Sequence, residues 1–228
     1  ETMKKDLNSR CIMSRDSLPV TGAEQAVYVL VDIKAAAAAA PGGLPANIGL
    51  VLDRSGSMDG EKIERLKEAA AAVVDRLGDR DLLSVTIFDD QVETLVPSRP
   101  LTDRNGIKAK LRMVIPRGGT QIADALRAGL AEVRTGIAPD RVSRILLVTD
   151  GRTWDDESAC LGLADEAGAD GIAVTSIGIG EDWNERLLLQ IAERSRGNSH
   201  WIENPLEILD AFRQEVHGMQ AVAAKNVK

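Results

Sequence analysis

A chain of 228 residues with 44% apolar and 28% charged side chains suits one α/β domain with an appendage, and its composition is that of a folded chain rather than a disordered one. Its net charge of −7, without any cluster of Lys and Arg, argues against a nucleic-acid or anionic-membrane partner. No apolar run approaches the roughly 20 residues of a bilayer span. Two histidines and two distant cysteines offer no zinc-site spacing, which disfavours a haem or zinc enzyme.

The start, Glu1-Thr2-Met3-Lys4-Lys5, has positive charge but no apolar run behind it, so no secretory signal is expected and Met3 reads as the natural first residue. Cys11 and Cys160 are too few for a secreted disulfide framework and read as two reduced, buried thiols. The expected compartment is the cytoplasm, with an extracellular or cell-surface site as the alternative.

Residues 7–15 and 24–33 read as strands, the second placing Val27, Val29, Val31 and Ile33 on one face by alternation. Turn residues Pro19 and Gly22 separate them. The alanine run from Ala35 to Ala40, closed by Pro41-Gly42-Gly43-Leu44-Pro45, reads as a linker. This sets an N-terminal β extension at 1–45, a main domain at 46–217 and a tail at 218–228.

In the main domain strands and helices alternate. Ile48-Gly49-Leu50-Val51-Leu52 is a continuous apolar run ending in Asp53, as in a strand covered on both faces. A helix follows over 60–77, with Ile63, Leu66, Ala70, Val73, Val74 and Leu77 at helical spacing and Gly78 closing it. A strand over 82–88 turns at Asp89-Asp90 into an antiparallel edge strand, 92–96, ended by Pro97. Helices over 103–114 and 121–133 precede the buried strand 143–149, which ends in Asp150. Then come a helix over 156–168, a strand over 172–179, a helix over 184–194, a short strand over 198–202 and a last helix from Pro205. This order predicts an α/β fold: a Rossmann-like open, mostly parallel sheet with helices on both faces.

Three polar segments follow buried strands or a Gly-rich turn: Asp53-Arg54-Ser55-Gly56-Ser57-Met58, Gly118-Gly119-Thr120 and Thr149-Asp150-Gly151. In open α/β sheets the ligand crevice lies beyond the carboxyl ends of the strands, where strand order reverses. If the strands carrying Asp53 and Asp150 are neighbours there, two carboxylates and several hydroxyls converge, and the carboxylates repel unless a cation or proton intervenes. The donors are all oxygen, which points to Mg²⁺, Mn²⁺ or Ca²⁺ rather than zinc or copper. Two carboxylates and neutral hydroxyls at most neutralise such an ion, leaving it receptive to an anionic oxygen from outside.

Asp53-x-Ser55-x-Ser57 with Thr120 and Asp150 downstream resembles the metal-ion-dependent adhesion site (MIDAS) of von Willebrand factor type A (vWA) domains, over roughly residues 46–217. The resemblance implies a six-stranded sheet and an ion at the strand tops. It further implies that Ser55, Ser57 and Thr120 ligate through hydroxyls, Asp53 and Asp150 directly or through water, and a partner protein's acidic side chain completes the set. Strands like those before residue 34 occur in relatives whose A domain is inserted into a β-sandwich, so further domains of a longer parent chain are potential partners. The overall look resembles bacterial members.

Arg54, Arg152, Thr153 and Trp154 flank the metal positions, and Arg54, Arg152 and Trp154 are candidate partner contacts. Trp154 reads equally as an anchor for a partner and as a ring packed over the sheet top. Asp124 reads as a first-turn acid satisfying the helix dipole, with orientation of a metal-bound water as the alternative. Asp89 and Asp90 read as a hairpin turn, His200 and His217 as residues without ligand or catalytic partners, Trp183 and Trp201 as packing near sheet ends, and Cys160 as core. A cation-dependent binding module is therefore the favoured function. A Mg²⁺-dependent phosphoryl-transfer or hydrolytic enzyme is the alternative, weakened by the lack of a P-loop and of a nucleophile–base pair. A purely structural domain is the third reading.

Overall fold

The computed structural model describes residues 7–15, 17, 20, 22, 24–35, 43–151, 156–180 and 183–222. β1 (Leu7–Met13) and β2 (Val29–Ala35) pair antiparallel, Cys11 opposite Val31, as a separate two-stranded sheet. The alternation read from the sequence separates two faces of β2, but it does not mark burial. Val27, Val29 and Val31 are exposed, and Tyr28 and Leu30 between them are exposed as well. A two-stranded ribbon has no second layer to bury either face, and is marginal by itself in water. Cys11 is exposed, which corrects the expectation of two buried thiols; Cys160 is buried. Residues 36–42 of the expected linker lie outside the described residues. Its end is tied down, with Leu44 N donating to Val222 O at 3.1 Å.

The main sheet begins with β3 (Ala46–Asp53), buried at every position, and continues through β4 (Leu82–Phe88), β5 (Val92–Pro100), β6 (Val142–Thr149), β7 (Ile172–Ile179) and β8 (Ser199–Ile202). Its order is β5-β4-β3-β6-β7-β8, parallel except for the β4–β5 pair. β5 runs past Pro97 to Pro100, because an edge strand needs no donor on its outer side.

The helices are α1 (Glu61–Arg76), α2 (Arg104–Arg112), α3 (Ile122–Arg134), α4 (Glu157–Ala169), α5 (Glu185–Ser195) and α6 (Ile208–Gln220). Pro205 opens a short 3₁₀ turn before α6, and α6 continues past residue 217. Strand alternation sorts the core. Ile48, Leu50 and Leu52 of β3 and Leu146 and Val148 of β6 pack with α1, α2 and α6. Val51, Ile145 and Leu147 pack with α3, α4 and α5 on the other face. α3 lies close over β3 because Gly129 leaves room for Val51, whose Cγ2 would stand 2.4 Å from any Cβ there.

One buried polar cluster fastens α6 to the sheet. Glu215, 4% exposed, accepts from Asn198 Nδ2 and Thr175 Oγ1, both at 2.9 Å, and from Arg144 Nη1, while His200 Nε2 lies 2.7 Å from its Oε1. His200 therefore has the partner that its sequence context did not reveal, and His217 Nδ1 lies 3.3 Å from Arg76 Nη2.

Candidate metal centre

β3 and β6 are neighbours, Leu52 pairing with Val148, and the chain moves outward from them in opposite directions. Their carboxyl ends form the crevice where strand order reverses. Asp53 ends β3 and is fully buried; Asp150 follows β6 directly and is 2% exposed. The loop after β3 curls at once, because Asp53 Oδ1 accepts from Ser55 N at 2.6 Å, a side-chain mimic of a backbone turn. A 3₁₀ turn, Gly56–Met58, follows, anchored by the buried Met58.

Hydrogen bonds then join the polar side chains. Ser55 Oγ lies 3.1 Å from Ser57 Oγ, and Ser57 Oγ donates to Asp150 Oδ1 at 2.7 Å. On the far side of Asp53, Thr149 Oγ1 donates to Oδ2 at 2.5 Å. Thr120 approaches from the third loop: a Cβ at position 151 would stand 2.7 Å from its Oγ1, so only the glycine found there leaves that hydroxyl its place. All five residues predicted as ligands thus come from three loops to one end of the sheet.

The third loop is held by backbone bonds. Gly56 N donates to Gly118 O at 3.1 Å, Arg117 N to Arg54 O at 2.8 Å and Gln121 N to Asp89 O at 3.2 Å. Gly118, with φ of 68°, takes a left-handed conformation that favours glycine. Asp90 Oδ1 accepts from Gly119 N at 2.5 Å. Asp89, 2% exposed, accepts through Oδ2 from Arg54 Nε and Arg117 Nε, both at 2.8 Å, and through Oδ1 from Gln91 N at 2.7 Å. Burial pushes the Asp89 carboxyl upward, but the Arg117 and Gln91 hydrogen bonds and the two guanidinium charges outweigh it and hold it below its ordinary value. Asp89 and Asp90 are thus more than a hairpin turn; they clamp the Thr120 loop against the Asp53 loop.

Arg54, expected as a partner contact, is 6% exposed, its guanidinium held by Asp89 and, at 3.3 Å, by Glu93. Arg152, Thr153 and Trp154 lie outside the described residues. Asp124 sits in the first turn of α3, paired with Arg127.

The electrostatics suit a cation. Burial drives the Asp53 carboxyl up to about 6; hydrogen bonds from Thr149 and Ser55 oppose that, and the Asp150 charge adds to it. Ionised Asp53 is thus under-compensated by the protein. Asp150 already attracts a cation, the ammonium of Lys62, which forms an ion pair with its Oδ2 and lies 3.3 Å from Ser57 O. The donor set of two carboxylates and three hydroxyls, with a lysine standing in, fits a hard divalent ion. Among the described residues, no cluster of three or more His, Cys, Asp or Glu that could hold a metal ion is found, this end of the sheet included, so an ion here would depend on the serine and threonine hydroxyls as well as the two aspartates.

The von Willebrand factor type A domain family model matches residues 47–213. The chain belongs to the vWA family. Its curated relatives include an uncharacterized protein of Synechocystis, 38% identical over 80% of this chain and 44% of that protein. Inter-alpha-trypsin inhibitor heavy chain H2 of Mus musculus is 32% identical over 68% of this chain and 17% of that one. The chain thus spans less than half the length of these relatives. Among solved structures, a von Willebrand factor type A protein from Catenulispora acidiphila superposes with a TM-score of 0.70 at 19% identity, covering 92% of this chain and 49% of that one. Proximal thread matrix protein 1 from the mussel byssus, solved with a zinc-occupied MIDAS motif, gives 0.62 at 20% identity over 76% of this chain and 46% of that one. At these identities the superpositions show the fold. vWA domains commonly mediate protein–protein interaction. No helix among the described residues is long and apolar enough to cross a membrane.

Proposed function

We propose that this vWA domain is a divalent-cation-dependent binding module that takes an acidic group of a partner protein. The supporting observation is the convergence of Asp53, Ser55, Ser57, Thr120 and Asp150 at the β3–β6 switch, with Asp53 short of positive charge and Asp150 holding a lysine ammonium. Mg²⁺, Mn²⁺ or Ca²⁺ held by these residues would supply a hard Lewis-acidic centre for a carboxylate oxygen. The chain's own contribution is placement. The Asp53–Ser55 turn aims the serines, Gly151 keeps the Thr120 hydroxyl beside Asp150, and the Arg54–Asp89–Arg117 clamp joins two of the loops.

Calorimetric titration with Mg²⁺ and Mn²⁺ tests the ion, and capture of the partner from the source cell with and without EDTA tests its use. We expect one binding site, lost in Asp53→Ala, and a captured protein released by EDTA. Absence of divalent-ion binding, or capture indifferent to both EDTA and Asp53→Ala, would reject the reading.

A further inference from the structure

Lys62 was not singled out by sequence, yet it reaches the candidate centre from outside the donor set. It lies in the first turn of α1, where the helix macrodipole favours acids and disfavours a cation. Its side chain is 31% exposed, while the Asp150 carboxylate that it pairs with is fully buried. Its Nζ also lies 3.3 Å from Ser57 O and would stand 3.7 Å from a Cβ on Gly180, just beyond β7. The ammonium is thus drawn inward among the strand tops, against the helix preference, by a carboxylate at the centre.

Both oxygens of Asp150 are thereby engaged, Oδ1 by Ser57 and Oδ2 by Lys62. A lysine is a compact point charge on a flexible stem, able to occupy such a place and to leave it. A divalent ion beside Asp150 meets the same carboxylate and a like charge. Resting on the metal reading above, we infer that Lys62 is a tethered internal cation that competes with the divalent ion for Asp150 and so sets how much free metal the site needs before it loads. Without metal it neutralises part of the Asp53–Asp150 pair; on loading it swings toward solvent, along the side where it is already exposed.

The test compares wild type with Lys62→Gln, Lys62→Met and Lys62→Arg, each checked for native circular dichroism, by calorimetric Mg²⁺ and Mn²⁺ titration and by thermal unfolding in EDTA. Removing the charge should tighten metal binding on the order of tenfold, about 1.4 kcal/mol, and lower the melting temperature in EDTA. Lys62→Arg should keep affinity near the wild-type value. Unchanged or weaker binding in both neutral variants, with wild type binding metal, overturns the competition and leaves the metal site standing. If neither wild type nor the neutral variants bind a divalent ion, the inference and the metal reading fall together.

Discussion

Two buried carboxylates in this domain face opposite circumstances. Glu215, under α6, is surrounded by donors: burial would raise its carboxyl, but the hydrogen bonds of His200, Asn198 and Thr175 and the charge of Arg144 hold it down to about 2. Asp53, at the strand tops, is buried as deeply but among the described residues draws its hydrogen bonds from Thr149 and Ser55, and its carboxyl rises to about 6. Glu215 is compensated by donors within the chain, whereas Asp53 has the raised carboxyl that marks a candidate functional group. The same sheet carries both, separated by which end of the strands each residue meets.

Breaking the compensated group should cost most. Glu215→Ala leaves the partly buried Arg144 without its carboxylate and should destabilise the domain by about 3 kcal/mol, the low end for breaking a buried pair, read from the urea midpoint, with metal affinity little changed. Because the folded carboxyl is depressed, its stabilisation is present above the ordinary glutamate range and is lost as pH falls from about 4.5 toward about 2. The urea midpoint of Glu215→Ala should accordingly depend less on pH in that window. A variant as stable as wild type would remove the contrast.

The under-compensated group should respond oppositely. Asp53→Asn keeps acceptors and donors for Ser55 N and Thr149 Oγ1 but removes the charge. It should abolish metal binding yet melt in EDTA at or above the wild-type temperature. A large loss of stability would place Asp53 with Glu215 as a structural acid.

Between the two lies Asp89, paired yet close to the site. Asp89→Ala should loosen the Thr120 loop and weaken Mg²⁺ binding about 10- to 100-fold, as loss of outer-shell support does elsewhere, with a smaller effect on the melting temperature. Equal effects on both would make it an ordinary core contact. The smallest effect concerns the thiols. Burial and the nearby Asp156 push Cys160 up to about 12, so a thiol reagent should label exposed Cys11 and spare Cys160 in the native protein.

Much of this was legible in sequence because it follows from pattern along the chain. The run Ile48–Leu52 announces a strand covered on both faces, and the helical spacing of Ile63, Leu66, Ala70 and Val73 sets α1 against it. Asp53 and Asp150, each at the end of such a run, had to meet once β3 and β6 paired. What stayed hidden depends on which side chain turns toward which loop. Arg54 turns in because Asp89 waits behind the next strand, and His200 finds Glu215 on a helix that follows it. Lys62 carried one faint signal, a cation in a first helical turn, legible only once Asp150 is seen beside it. The ribbon's alternation could not be read as burial, since periodicity reports the faces of a strand and not what covers them.

Crystals soaked in MnCl₂ show most directly whether oxygens from these three loops hold a cation. Anomalous difference density among Asp53, Ser55, Ser57, Thr120 and Asp150, absent in Asp53→Asn crystals, is the predicted result. Density confined to other positions, or none at millimolar Mn²⁺ with the five side chains in place, would contradict it.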